Sequence, residues 1–431
     1  MICNNITVKE ETLYFAGQNT VDLAKKYGTP LYLMDEDKIR EKCRIYKHAF
    51  VKHFGPGSYP LYASKANSFK RIYEIMSEEG MGIDVVSSGE IYTALKAGYD
   101  ISNAYFHSNN KTDEDIRYAI ENGIGYFVAD NIEEVKAVEA EAARKGIVQK
   151  MLLRITPGID THTYEAVNTG MVDSKFGSAI ETGQASEIVG FTLTQSHIDL
   201  VGFHCHVGSQ VFAEDVFERA AVVMLEFIAD MQKTHGYTAK VLDLGGGYGV
   251  RYVDSDPYLD IETKIGEVAA EIRKTCDRLG LEMPAIHMEP GRSIVADAGM
   301  TLYTVGTVKQ IPGYKNYVSI DGGMTDNPRF ALYGSKYTCF VANRMNETCD
   351  FECSIVGRCC ESGDIIQNHV MVPSTVGRND IVAVCTTGAY NYSMASNYNR
   401  VARPALVMLS GGDNYVAVRR ESLEDICRND I

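Results

Sequence analysis

Nowhere in its 431 residues does the chain contain a run of about 18 apolar residues, so no membrane-spanning helix is expected. It also lacks a surplus of basic residues. Lys and Arg number 42 against 57 Asp and Glu, a formal net charge of −15, which argues against general binding to nucleic acid or an anionic membrane surface. The opening stretch, MICNNITVKEETLYF, has no basic segment leading into an apolar one, so no secretory signal is expected. There is no low-complexity tract and no self-similarity at a fixed period, which sets aside disordered and repeat architectures. The eleven cysteines include no Cys-x-x-Cys pair. Scattered and odd in number, they suit reduced thiols in a cytoplasmic protein better than a disulfide framework. The cluster Cys349, Cys353, Cys359 and Cys360 lacks the paired knuckles of a zinc site, and no metal is expected.

What is present is an ordinary globular composition, 45% hydrophobic and 23% charged, with length enough for two domains. From about residue 55 to 295, short apolar runs alternate with amphipathic stretches. The strand candidates are YPLYASK (59–65), GIDVVS (82–87), AYFHSN (104–109), YFVAD (126–130), KMLLRIT (150–156), LVGFHCHVG (200–208), VLDLGGG (241–247) and AIHMEPG (285–291). Helical spacing of apolar residues marks intervening segments such as SFKRIYEIMSEEG and NIEEVKAVEAEAARKG. Strict alternation implies parallel βαβ units, and eight of them fit a (β/α)8 barrel of about 250 residues. A doubly wound sheet is the rival. Polar and glycine residues lie at the C-terminal ends of nearly all the strands, including Lys65, Asp84, Ser87, His206, Gly245 to Gly247 and Glu289. Only a barrel brings all those ends to one mouth.

After about residue 298 the pattern becomes β-rich: MTLYTVGTVKQI, YKNYVSIDG, ECSIVG, DIIQ, DIVAVC and ALVML, separated by glycine and charged turns. A mostly antiparallel β-sandwich or barrel is expected there. The N-terminal segments ETLYFAG and TPLYLMD are also strand-like and are expected to join it. The domains are therefore placed at 37–298 for the barrel, with 1–36 and 299–431 forming the β domain.

Several segments carry chemistry. Lys65 in YASKAN ends the first barrel strand, where desolvation would lower its pKa and make it an amine nucleophile. VLDLGGGYG puts three glycines after a strand, allowing backbone N–H groups close to a phosphate. It is not a dinucleotide fingerprint, because Val250 stands where the third glycine belongs. EPGRS offers Glu289 as a carboxylate, an exposed turn at Gly291 and a cation in Arg292. FHCHVGSQ places His204 and His206 two apart on one strand face; a metal would need a third ligand, and none is obvious nearby. Further on, DNPRFALYG, CCESGD and TTGAYNYSMASNYN are unlike plain β-domain sequence. The last is rich in Tyr, Asn and Ser, as binding loops are.

In order along nearly the whole chain, YASKAN, DVVSSGE, DSKFG, HCHVGSQ, GGGYG, EPGRS, DNPRFALYG, CESGD and GAYNYSMASNYN resemble the fold-type III pyridoxal-phosphate decarboxylases. This family includes enzymes acting on ornithine, arginine and diaminopimelate, and the motifs are most similar to its diaminopimelate branch. The resemblance implies an alanine-racemase-like barrel with a β domain, pyridoxal 5'-phosphate as cofactor, and a homodimer with shared active sites. It implies that Lys65 forms the Schiff base, Glu289 pairs with the pyridine nitrogen and His206 stacks on the ring, with Asp84 also in the cofactor site. Ser209, Gly245, Gly246, Gly247, Gly291, Arg292 and Tyr390 would hold the phosphate. Arg292, Arg329, Tyr333, Glu361 and Tyr390 would bind a substrate with two carboxylates. Cys360 would donate a proton to the product carbanion, and Cys360 and Glu361 would come from the partner subunit. The activity implied is decarboxylation of meso-2,6-diaminopimelate to L-lysine and carbon dioxide, the last step of that lysine route. Arg329 argues for the dicarboxylic substrate over a basic amino acid or polyamine precursor, whose decarboxylases carry an acidic residue in that region. A catalytically silent, cofactor-binding relative would be expected to have lost Lys65 or Glu289.

Three positions depart from the family pattern. Gly357-Arg358 replaces a usual Gly-Pro, which would leave the Cys360 loop less rigid. Val207 stands for isoleucine without consequence. Phe330 fills a position often smaller or proline, and would reshape the pocket for the distal end of the substrate.

Overall fold

The computed structural model describes residues 1–159, 174–213 and 215–431. Two compact units emerge. One comprises Lys42–Gly249 and Leu259–Ser293; the other comprises Met1–Glu41, Val250–Tyr258 and Ile294–Ile431. Val250–Tyr258 leaves the glycine run and clusters with the β-rich unit, a return that no composition shift in the sequence marks.

The first unit is a closed barrel of eight parallel strands. They are β1 (Tyr59–Ala63), β2 (Gly82–Val85), β3 (Ala104–Phe106), β4 (Tyr126–Ala129), β5 (Gln149–Thr156), β6 (Ile198–His204), β7 (Val241–Asp243) and β8 (Ala285–Met288). Each pairs in parallel with its neighbour in sequence, and β8 closes onto β1 through His287 opposite Tyr59. Leu61, Tyr105, Val128, Leu152 and Val201 fill the interior together, so the barrel is a packed core rather than a pore. Nearer the strand starts, Tyr105 lies 3.0 Å from His287 Nδ1, and His287 Nε2 lies 3.0 Å from the Gly57 carbonyl. The buried polar groups there satisfy one another.

The helices between strands follow local rules. In Ile132–Lys145, Asn131 caps the start by accepting from the Glu134 N–H, Glu133 and Glu134 sit in the first turn, and Arg144 and Lys145 sit in the last. Gly146, at φ 69°, ends the helix in the left-handed conformation that costs glycine little. Val135, Val138 and Ala142, three and four apart, form the buried stripe.

The second unit is built on a nine-stranded sheet with the main path Ile365–Pro373, Cys349–Val356, Lys315–Ile320, Gly299–Ile311, Leu31–Asp35, Ala405–Ser410 and Asp413–Val418. Most pairings are antiparallel; Lys315–Ile320 with Cys349–Val356, and Leu31–Asp35 with Ala405–Ser410, are parallel. TPLYLMD therefore enters this sheet as expected. ETLYFAG does not: Thr12–Phe15 pairs with Ile6–Lys9 and Gln18–Asn19 in a separate three-stranded sheet. Leu13, Phe15, Leu31, Leu33, Met300, Leu302 and Val407 nevertheless share one buried core within this unit.

Candidate active site

The loops that follow β1, β6, β7 and β8 interlock backbone to backbone. Asp243, the last residue of β7, accepts the Gly245 N–H at 2.9 Å, which starts the glycine turn. Gly245 and Gly247 have φ of 68° and 128°, values that L side chains rarely adopt. Space is equally restrictive: a Cβ at Gly246 would lie 2.1 Å from the Glu289 carbonyl oxygen, and one at Gly247 would lie 2.2 Å from that of Gly208. A Cβ at Gly291 would meet Ala63 Cβ at 2.8 Å. Beside this cradle, buried Arg292 donates through Nη2 to Ser209 Oγ at 2.9 Å. The barrel thus brings together Ser209, Gly245, Gly246, Gly247, Gly291 and Arg292.

Below the cradle lies a buried ionisable cluster. Glu289, just past β8, presents Oε1 2.6 Å from His107 Nε2 and Oε2 3.2 Å from His204 Nε2. All three residues are buried, and the two imidazoles meet edge to face at 4.7 Å. Burial alone would drive the Glu289 carboxyl upward, but His107 and His204 hold it well below the usual carboxylate range. Burial, and then the charge on Glu289, push the carboxyls of Asp84 and Asp243 well above that range. Burial also drives His206 well below the ordinary imidazole value, with the Lys65 charge adding to it. One defined carboxylate therefore stands among groups biased toward neutrality.

Lys65 differs from expectation. It lies in the 3-10 turn Ser64–Ala66 rather than on β1, and its side chain is exposed between buried Ser64 and Ala66. His204 also differs: its companions are His107 and Glu289, whose ligand-type atoms lie with its own within 4.8 Å. The third group comes from β3, far away in sequence, where the only signal was a histidine in AYFHSN just after a strand. Arg154, on β5 and 4.3 Å from the Phe176 ring, is a further charged residue that the motifs did not mark. The first residue of DSKFG, Asp173, lies outside the described residues.

In the β-rich unit, DNPRFALYG forms a short helix, Arg329–Tyr333. Arg329 is 6% exposed, and its guanidinium lies 5.2 Å from the ring centres of both Tyr333 and Tyr390. Among the described residues it has no ion pair, its Nε has no acceptor, and Nη2 reaches only Ser335 Oγ at 3.4 Å. Tyr390 has a φ of 63°, unusual for a residue with a Cβ. Cys360 and Glu361 are exposed, and the Cys360 N–H donates to Asn399 Oδ1 at 2.8 Å. Their loop is tied by backbone hydrogen bonds. The Arg358 N–H donates to the Gly322 carbonyl at 3.0 Å, a bond that proline could not form, and Asp364 accepts from Cys359 N at 2.7 Å and Met324 N at 2.6 Å. Burial and then Asp364 raise the Cys359 thiol to about 11. Phe330 is partly buried in the short helix.

The barrel residues fit one kind of cofactor. The glycine turn, packed so closely on the Glu289 and Gly208 carbonyls that no Cβ fits, and the Ser209–Arg292 pair could hold a phosphate. Glu289 offers a buried carboxylate to a ring nitrogen, and exposed Lys65 offers an amine to an aldehyde. Such a set at the C-terminal mouth of a closed (β/α)8 barrel is what a pyridoxal-phosphate enzyme needs. A family model described as pyridoxal-dependent decarboxylase, pyridoxal binding domain, matches residues 36–296. The chain is 43% identical over 419 residues to diaminopimelate decarboxylase of Bacillus subtilis, spanning 97% of this chain and 95% of that one. It is 44% identical over 408 residues to the Staphylococcus aureus enzyme of the same name, spanning 95% of each. The crystal structure of diaminopimelate decarboxylase from M. jannaschii in complex with L-lysine superposes with a TM-score of 0.92 at 31% identity, covering 100% of this chain and 98% of that one. The chain belongs to the pyridoxal-dependent decarboxylase family.

Proposed function

We propose that this protein decarboxylates meso-2,6-diaminopimelate at its D-configured centre, releasing carbon dioxide and L-lysine, with pyridoxal phosphate as cofactor. Bound pyridoxal phosphate supplies an electron sink for the carbanion left when carbon dioxide departs. In this reading Lys65 carries the cofactor, Glu289 pairs with its ring nitrogen, and His206, pushed toward the neutral imidazole by burial, covers the ring face. Ser209, Gly245 to Gly247, Gly291 and Arg292 bind the phosphate. Asp84, biased toward its neutral form, adds no competing charge to the Glu289 carboxylate.

The observation that best supports this substrate is Arg329. A buried guanidinium with no carboxylate partner among the described residues suits a ligand that brings its own carboxylate. Tyr333 and Tyr390, whose rings flank it, complete the clamp for the distal end. Glu361 pairs with the distal ammonium, and Cys360 returns a proton to the product. Both are exposed on their own chain, which supports their presentation to a second copy in a homodimer. Eleven free cysteines support a reducing, cytoplasmic setting, and among the described residues no helix is long and apolar enough to cross a membrane.

The test supplies pyridoxal phosphate and meso-diaminopimelate to the purified protein and measures lysine. Lys65→Ala should abolish both turnover and the visible cofactor band; retained turnover overturns the assignment. Decarboxylation of another amino acid with no lysine formed keeps the scaffold and rejects the substrate.

A further inference from the structure

Three carboxyls face one another at the barrel mouth: Asp84 after two residues of β2, Asp243 at the end of β7 and Glu289 after β8. In a buried space they cannot all remain ionised, because each charge raises the others' affinity for a proton. Glu289 differs from the other two in its partners. Each of its oxygens faces one imidazole nitrogen, Oε1 toward His107 at 2.6 Å and Oε2 toward His204 at 3.2 Å. The imidazoles arrive from separate strands, His107 just past β3 and His204 at the end of β6. Their edge-to-face contact, 4.7 Å between centres and 67° between planes, fixes the angle at which they grip the carboxylate.

We propose that His107 and His204 are positioning residues that keep Glu289 ionised and oriented, and through it set the protonation of the cofactor's ring nitrogen. The proposal rests on Glu289 being that nitrogen's partner. His204 serves as a neutral N–H donor to Oε2, while His107 Nε2 sits 2.6 Å from Oε1 without the geometry of a hydrogen bond. His204 Nδ1 is buried with no hydrogen-bond partner among the described residues, so a second proton there would be a buried, unanswered charge. A neutral donor stabilises the carboxylate without cancelling its charge, which leaves that charge available to the ring. A fixed cation in their place would compete with the ring nitrogen for it.

The grouping also has the atom types of a metal site, and the test separates the two readings. The experiment measures affinity for pyridoxal phosphate and for its 1-deaza analogue, in which the ring nitrogen is replaced by C–H. The proteins compared are the full-length wild type, H107F, H204F, H107Q, H204Q and E289Q. H107F and H204F should weaken pyridoxal phosphate roughly 10- to 100-fold, the usual worth of an orienting outer partner, and leave the deaza analogue within about twofold. The glutamine variants, which keep an N–H donor near the original Nε2, should recover most of the loss. Equal weakening of both cofactors by H107F and H204F, with E289Q still discriminating between them, would show a packing role only and overturn the proposal. If E289Q itself fails to discriminate, the ring-partner reading falls and the proposal with it. Stoichiometric divalent metal in the wild type, lost in H107F and H204F, would also overturn it.

Discussion

Replacing Arg329 by Met should move stability and function in opposite directions. The guanidinium is 6% exposed, has no ion pair among the described residues, and leaves Nε without an acceptor. Against it stand a desolvation penalty of several kcal/mol and only weak local compensation. The two ring contacts at 5.2 Å contribute about 1 kcal/mol each. The 3.4 Å bond to Ser335 adds no more than about 1 kcal/mol. The folded state therefore carries a net cost of about 1–3 kcal/mol at this residue. Methionine, unbranched and polarisable, can fill the same space without that cost. The urea midpoint of R329M should rise or stay level.

Turnover should fall. Losing a buried, charge-assisted contact to a substrate carboxylate costs about 3–4 kcal/mol, or roughly 10²–10³-fold in kcat/KM. The assay is lysine release against meso-diaminopimelate concentration, alongside denaturation of the same preparation. D-Lysine, which has no distal carboxylate, serves as a control substrate, and the variant's penalty should shrink toward it. A urea midpoint that drops while kcat/KM stays within a few-fold of wild type would refute the reasoning and make Arg329 a structural residue. The opposition of signs follows from sites that hold strain for function.

Two further outcomes follow from buried charge. Lys111 pairs with Glu134 and donates to the Val128 carbonyl at 2.8 Å, with both charged side chains out of solvent. Lys111→Met alone should cost about 3–5 kcal/mol by stranding Glu134, and adding Glu134→Leu should restore most of it; equal denaturation curves for the single and double variants would refute the pairing. Burial lowers His287 to about 4, below the roughly 6.5 of an unfolded histidine. Its contribution is therefore present above pH 6.5 and is lost as pH falls toward 4, on the order of 3 kcal/mol. H287Q should show a shallower loss of stability across that window, and parallel curves for variant and wild type would refute it.

The barrel was legible because its strands are short apolar runs ending in polar or glycine residues, and β/α alternation carries each such end to one mouth. The grouping of Ser209, Gly245 to Gly247 and Arg292 came instead from the ordered motifs that resemble the decarboxylase family. Local geometry was less legible. Lys65 was read as the end of a strand, yet one 3-10 turn, Ser64–Ala66, exposes it. Arg358 was read as a lost proline, whereas its N–H pins the loop to Gly322. The role of His107 was not legible, though AYFHSN placed it just after a strand. Its partner Glu289 lies just past the last strand, and the two meet only in the closed barrel.

The formal charge of −15 illustrates why composition reaches partners but not sites. It counts Asp84, Asp243 and Glu289 alike as anions. Burial and mutual repulsion push the first two toward their neutral forms, and only Glu289, with an imidazole at each oxygen, is held ionised. Lys65, Arg154 and Arg292 belong to the same unit as those carboxyls. The balance of charge at the barrel mouth is therefore more positive than a residue count gives, as a phosphate-bearing cofactor requires. That reversal comes from which carboxyls face one another and which face imidazoles, and such pairing exists only once the barrel has closed.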